Sequence, residues 1–360
     1  MITSFSLLFL ITVFASPGIT VDATVSYSLK ARCLAASSSA YREEAVRIPG
    51  EGGVLQGRLF LPVSPGPHPA VVLLPGGGRE RLRGAPLFYA KRLAQCGAAA
   101  LVYDKRGTGD SGGDWETAHF DDFVADAAAA VTVLGRRSDV DAHRIGLLGF
   151  SQGGRLAPVV AARHSGILFV AGVSAPFTSI AETRLYALEQ ALQRRGVQGA
   201  ALDSTMHLWR AHFEAVADDA SEALVELDDA IREAAARVSP GSLPPTSEHL
   251  LATPLYNSMG HDYTRELQYL RIPLLVVYGD RDAVVPVQRS VEALSKVLAD
   301  GGHPGADIVV VPFANHSFND HTFGMRIEIE EVILDWILAR FAGESGTPRT
   351  YITPDGNRYR

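Results

Sequence analysis

Cysteine is nearly absent from this 360-residue sequence, which holds only Cys33 and Cys96. That excludes a disulfide-rich scaffold and leaves room for at most one bridge. Cys96 stands in Leu93-Ala94-Gln95-Cys96-Gly97, between a helical stretch and an apolar strand, the setting of a buried inert thiol. Cys33 falls in a weakly structured leader, so no disulfide is expected. Basic clustering is lacking too: the net charge is -7 and no basic stripe interrupts it, which excludes a nucleic acid partner. The histidines show no H-x-x-x-H or Cys/His clustering of zinc type, so neither a metal nor an organic cofactor is expected. Low-complexity tracts and internal repeats are missing, which excludes fibrous and solenoid proteins.

Long apolar runs are scarce as well. The longest at the start, Phe5 to Ala15, is too short to span a bilayer comfortably, so no stable membrane span is expected in the mature chain. It has the length of a secretory signal and is followed by Ser16-Pro17-Gly18 and Val21-Asp22-Ala23. Residues 1–23 are therefore read as a signal peptide and the chain as exported, periplasmic or extracellular. Against this, no Lys or Arg precedes Lys30; without export the chain would be cytoplasmic.

What is present reads as alternating strands and helices. Glu44 to Ile48 and Val54 to Leu61, broken at Gly50-Glu51-Gly52-Gly53, suggest a hairpin. Ala70 to Leu74 and Ala98 to Tyr103 are continuous apolar runs, as expected of parallel strands buried on both faces. Helical spacing over Leu87 to Gln95 separates them, and Phe120 to Leu134 follows. The strand Arg144 to Gly149, the helix Gln152 to His164 and the strand Ile167 to Val173 continue the rhythm. Repeated βαβ units imply a doubly wound, mostly parallel sheet with sites at the carboxyl ends of its strands. Residues 178–271 then read as charged and helical, a cap-like insertion, before the strand Ile272 to Tyr278, the helix Val287 to Leu298, the strand Ile308 to Pro312 and a helix around Ile327 to Phe341. Core segments are thus expected at 43–177 and 272–342, and a mobile polar tail at 343–360.

Gly149-Phe150-Ser151-Gln152-Gly153 lies between an apolar strand and a helix. That context gives the G-x-S-x-G pattern meaning: the serine sits on a sharp, strained turn that lifts its hydroxyl above the sheet. Ser151 is the candidate nucleophile. A serine hydroxyl needs a base, and the base needs a third group to fix its tautomer. In this arrangement the acid precedes the histidine in sequence. Asp280 and Asp282, after Ile272 to Tyr278, compete as acid. Asp282 is chosen because it stands deeper in the loop, Asp280 being suited to bracing the turn through backbone amides. His316, directly after the last strand, is chosen as base over His303, in a Gly-rich surface turn, and His321. The tetrahedral intermediate needs backbone N–H donors. One is expected from Gln152 and the other from Pro75-Gly76-Gly77-Gly78, with Gly77 chosen and Gly76 left open. Asp104-Lys105-Arg106-Gly107-Thr108-Gly109-Asp110-Ser111 is Gly-rich and basic but lacks the spacing of a phosphate loop, and is assigned to structure beside the site.

These features together resemble the α/β-hydrolase superfamily over roughly Glu43 to Phe341. The run Tyr103-Asp104-Lys105-Arg106-Gly107 followed by Gly109-Asp110-Ser111 resembles bacterial esterases of the dienelactone-hydrolase and prolyl-oligopeptidase-like branch. The resemblance implies an α/β-hydrolase fold with a helical cap, and hydrolysis of a small-molecule acyl ester through an acyl-enzyme. One departure is Pro75, where many members carry a histidine before the oxyanion glycine. A peptidase or thioesterase would use the same residues; halide-releasing and epoxide-opening enzymes are disfavoured because they place an aspartate where Ser151 stands. A non-catalytic binding protein on the same fold is the rival from another class.

Overall fold

The computed structural model describes residues 41–79, 84–218, 221–238, 258–259, 261–262, 264–318, 325–344 and 350–351. The expected signal peptide, Cys33 and His321 lie outside them. A hairpin opens the described chain, β1 (Tyr41–Gly50) and β2 (Gly53–Pro62), paired antiparallel from Tyr41↔Pro62 to Gly50↔Gly53. There follow β3 (His68–Leu74), α1 (Ala85–Gln95), β4 (Ala99–Tyr103), α2 (Phe120–Gly135), β5 (Val140–Phe150), α3 (Gln152–Arg163) and β6 (Ile167–Val173). Three helices come next, α4 (Ile180–Arg194), α5 (Gly199–Ala217) and α6 (Ser221–Val238), then the short α7 (Thr264–Leu267). The chain returns to β7 (Leu274–Gly279), α8 (Val287–Asp300), β8 (Asp307–Val311), α9 (Met325–Phe341) and β9 (Thr350–Tyr351).

Among the described residues the strands form one nine-stranded sheet in the order β1-β2-β4-β3-β5-β6-β7-β8-β9. Pairing is antiparallel from β1 through β4 and parallel from β4 to the far edge. The apolar runs account for the central strands. In β3, Ala70, Val72 and Leu74 join one core while Val71 and Leu73 join another. The first core is covered by α2, α3 and α8 through Phe123, Leu156 and Leu294. The second is covered by α1 and α9 through Leu93 and Ile333. Successive side chains of a strand point to opposite faces, so a strand buried on both sides must be apolar at every position.

One expectation is corrected. Cys96 is disulfide-bonded; the chain's other cysteine is Cys33, and the local context of Cys96, a helix end before an apolar strand, carries no sign of a bridge. Within 343–360, Thr350 and Tyr351 form β9 and pair in parallel with Ile308 and Val309. An unpaired edge of β8 offers backbone donors and acceptors to any extended segment within reach. Among the described residues, no helix is long and apolar enough to cross a membrane.

Candidate active site

The carboxyl ends of β5, β7 and β8 converge on one rim of the sheet. Ser151 follows β5 directly, with φ 49° and ψ -112°, a conformation that costs a non-glycine residue about 1–3 kcal/mol. It is held by its amide, which donates to the Val173 carbonyl at 2.8 Å, and by Gly154, whose amide donates to the Ser151 carbonyl at 3.0 Å. The flanking glycines are required by close approach. A Cβ on Gly149 would overlap the Gly153 carbonyl, and one on Gly153 would overlap the Leu74 carbonyl. The strand, the turn and the helix α3 can pack this tightly only without side chains at those two positions.

Asp282 leaves the end of β7. Its Oδ1 accepts from the amides of Val284 and Val285, both at 2.8 Å, so it makes turn-bracing contacts of the kind expected of Asp280. Its Oδ2 lies 2.7 Å from His316 Nδ1, and its side chain is completely buried. His316 Nε2 lies 3.1 Å from Ser151 Oγ. With Nδ1 donating to the carboxylate, Nε2 carries the lone pair and can accept from the serine hydroxyl. His303 is elsewhere: it is buried, with Nε2 2.9 Å from the Ile272 carbonyl and Nδ1 accepting from the Gly305 amide at 3.0 Å. Its role is to tie a turn, not to serve the rim.

Three contacts that support this constellation are not visible in the linear sequence. Ser174, after β6 and also at positive φ, donates from Oγ to the His316 carbonyl at 2.9 Å. Tyr186 on α4 donates to the Asp282 carbonyl at 2.9 Å; burial and then the Asp282 charge hold its phenol above the ordinary range. Lys105, buried in the loop after β4, donates from Nζ to the Gly76 carbonyl at 2.7 Å and lies 3.3 Å from Gln152 Oε1. Its neighbour Arg106 turns away from the rim. It binds both carboxylate oxygens of Asp126 at 2.8 and 2.9 Å and the Asp122 carboxylate at 2.7 Å, joining the loop to α2.

Of the two loop glycines considered as oxyanion donors, Gly76 lies beside the serine. An ideal Cβ on Gly76 would sit 3.7 Å from Ser151 Cβ, whereas one on Gly77 would meet open space. Gln152 opens α3, where the first amides of a helix have no intrahelical partner. Between α4 and α5 lies a cavity of about 410 Å³, lined in part by Leu185, Tyr186, Met206, Phe213 and Arg289. Ser151 and His316 are not among its walls. Phe213 also packs with Trp209, Ile180 and Ile231 in a small buried cluster.

A mostly parallel sheet flanked by helices, with a serine on the strand-to-helix turn and a histidine and a carboxylate on the same rim, defines an α/β-hydrolase of the serine type. The chain belongs to the family described as serine aminopeptidase, S33, whose pattern matches residues 65–317. It is 27% identical over 273 residues to "Esterase EstD" of Thermotoga maritima, covering 73% of this chain and 57% of that protein. It is 32% identical over 142 residues to "Acyl-coenzyme A thioesterase 1" of Mus musculus, covering 39% of this chain and 32% of that protein. The chain therefore spans little more than half the length of the first relative and about a third of the second. The structure of Est1E from Butyrivibrio proteoclasticus with ferulic acid superposes with a TM-score of 0.54 at 18% identity, over 83% of this chain and all of that one.

Proposed function

We propose that this enzyme hydrolyses a carboxylic ester through an acyl-enzyme on Ser151. The observation that carries the reading is the unbroken hydrogen-bonded line from Asp282 through His316 to Ser151. His316 Nε2 takes the hydroxyl proton as Ser151 Oγ bonds to the acyl carbon, and the carbonyl electrons collect on an oxyanion facing the Gln152 and Gly77 amides. The C–O bond to the alcohol then breaks, and the alcohol leaves with the proton held by His316. Water repeats the sequence: it gives a proton to His316, attacks the acyl carbon, and releases the acid as the proton returns to Ser151 Oγ. Asp282 holds the imidazole in the productive tautomer throughout.

The names of the relatives support acyl transfer to water and divide over the leaving group. An esterase matches over most of this chain and a thioesterase over a shorter stretch, which favours the oxygen ester. The second reading, an aminopeptidase, rests on the family's description. Helices α4 to α6 act as a cap that selects the acyl or alcohol group. The cap is fixed at its entry by Arg155, which donates to the Pro176 and Thr178 carbonyls at 3.0 and 3.1 Å. Export fits the disulfide at Cys96, since such bonds persist in oxidising compartments.

The test is a panel of p-nitrophenyl esters of increasing chain length, run beside acyl-CoA thioesters and aminoacyl p-nitroanilides, on wild type and Ser151→Ala. Ester turnover with kcat reduced about 10⁶-fold by Ser151→Ala is expected. Wild-type turnover by Ser151→Ala would overturn the mechanism. Cleavage of anilides without esters would replace the esterase reading by the peptidase.

A further inference from the structure

Lys105 is almost fully buried, which is uncommon for a residue that loses several kcal/mol of hydration when its ammonium leaves water. Two of its contacts fall on residues beside the proposed oxyanion site. Nζ donates to the Gly76 carbonyl at 2.7 Å and stands 3.3 Å from Gln152 Oε1; it also lies 5.6 Å from the centre of the Phe123 ring. The first contact bears on direction. In a planar trans peptide the carbonyl and the following N–H point opposite ways, so a cation fixing the Gly76 carbonyl fixes the Gly77 N–H pointing away from Lys105. The same contact polarises the peptide unit, because a hydrogen bond from a charged donor draws electron density toward the carbonyl oxygen and strengthens the N–H as a donor. Gly77 has no side chain to hold it, and an ideal Cβ there meets nothing within 4 Å. Among the described residues, nothing packs against Gly77 on that side.

We infer that Lys105 is the positioning residue of the oxyanion hole: one buried ammonium orients and polarises the Gly76–Gly77 peptide while steadying Gln152, whose amide is the second donor. This rests on the serine mechanism proposed above. It differs from general structural support in one respect. The stabilisation acts where negative charge develops, so it lowers the transition state more than the bound ester.

The experiment compares wild type, Lys105→Met and Lys105→Gln for kcat, KM and inhibition by an acyl-matched trifluoromethyl ketone, which forms an anionic hemiketal on the nucleophilic serine. Lys105→Met is expected to lower kcat about 10–100-fold with KM within about twofold, somewhat less than removal of a whole oxyanion donor. Its inhibition constant for the ketone should rise by the factor by which kcat falls. Lys105→Gln, which keeps a donor for the Gly76 carbonyl without the charge, should fall between the two. A kcat within about twofold of wild type, or a loss of kcat with ketone affinity unchanged, would overturn the assignment. Should Lys105→Met fail to fold, Lys105→Gln is read by the same two criteria. Ser151→Ala separates the two claims. If it stays active, the serine mechanism fails; if it is inactive while Lys105→Met keeps wild-type kcat, only the lysine assignment fails.

Discussion

At the scale of single residues, Asp282 divides its two oxygens between two tasks. Oδ1 holds the turn through the Val284 and Val285 amides, and Oδ2 faces His316 Nδ1. Asp282→Asn can keep its amide oxygen on the turn, which places the NH₂ group against Nδ1. The imidazole must then carry its proton on Nε2, where it can no longer accept from Ser151 Oγ. A fall in kcat of about 10⁴-fold is expected with the fold intact, measured by ester turnover beside circular dichroism. The choice between Asp280 and Asp282 illustrates what a sequence can carry at this scale. Both belong to one short loop after β7, so position in sequence narrows the acid to two residues. The direction of each carboxylate depends on the path of the turn, which also sets Asp280's amide to donate to the Val311 carbonyl.

At the scale of elements, periodicity was a good guide wherever a strand or helix buries its own sequence. The runs in β3 and β4, the elbow between β5 and α3, and the helices α1 and α2 were legible because each pattern reports local burial. Contacts made by the ends of elements were not legible. Lys105 reaches Gly76 because β4 and β3 are neighbours in the sheet, and Ser174 reaches His316 because β6 lies beside β7, next to β8. Helix α9 yields a pH-dependent prediction. Asp335 has its pKa pushed up to about 6 by burial and then by Glu331 one turn away, and Glu331 Oε1 is itself buried without a hydrogen-bond partner among the described residues. The folded state thus holds the Asp335 proton more tightly than the unfolded chain, whose carboxyl titrates near 3.8. The resulting stabilisation is full below about pH 4 and is lost as pH rises through 6. Asp335→Asn should therefore raise the melting temperature at pH 8 relative to wild type, and the gain should shrink toward pH 4. Calorimetric scans at the two pH values check this; an equal effect at both would refute it.

At the scale of the whole molecule, the sheet brings together segments far apart in the chain. Cys96 carries a disulfide, and the chain's other cysteine, Cys33, is distant from it in sequence. Cross-linking lowers the entropy of the unfolded chain, and its removal is expected to cost about 2–4 kcal/mol. Reductant, or Cys96→Ser, should lower the melting temperature by several degrees while leaving ester turnover at 25 °C within about twofold of the oxidised enzyme. An unchanged melting temperature would show that the bond carries no stability.

The sequence by itself determined the alternation of strands and helices, the serine on its turn, and the order in which acid and histidine follow it. Each of these is written in near neighbours: apolar runs, glycines flanking Ser151, and residues directly after a strand. Only the tertiary structure decided which oxygen of Asp282 faces His316, that Lys105 sits behind the Gly76 carbonyl, that Cys96 is bonded, and that Thr350 and Tyr351 complete the sheet. The physical reason is the strand order. Hydrogen bonds between strands place β4 beside β3 and β9 beside β8, and residues at their ends then meet across distances in sequence that no local pattern records.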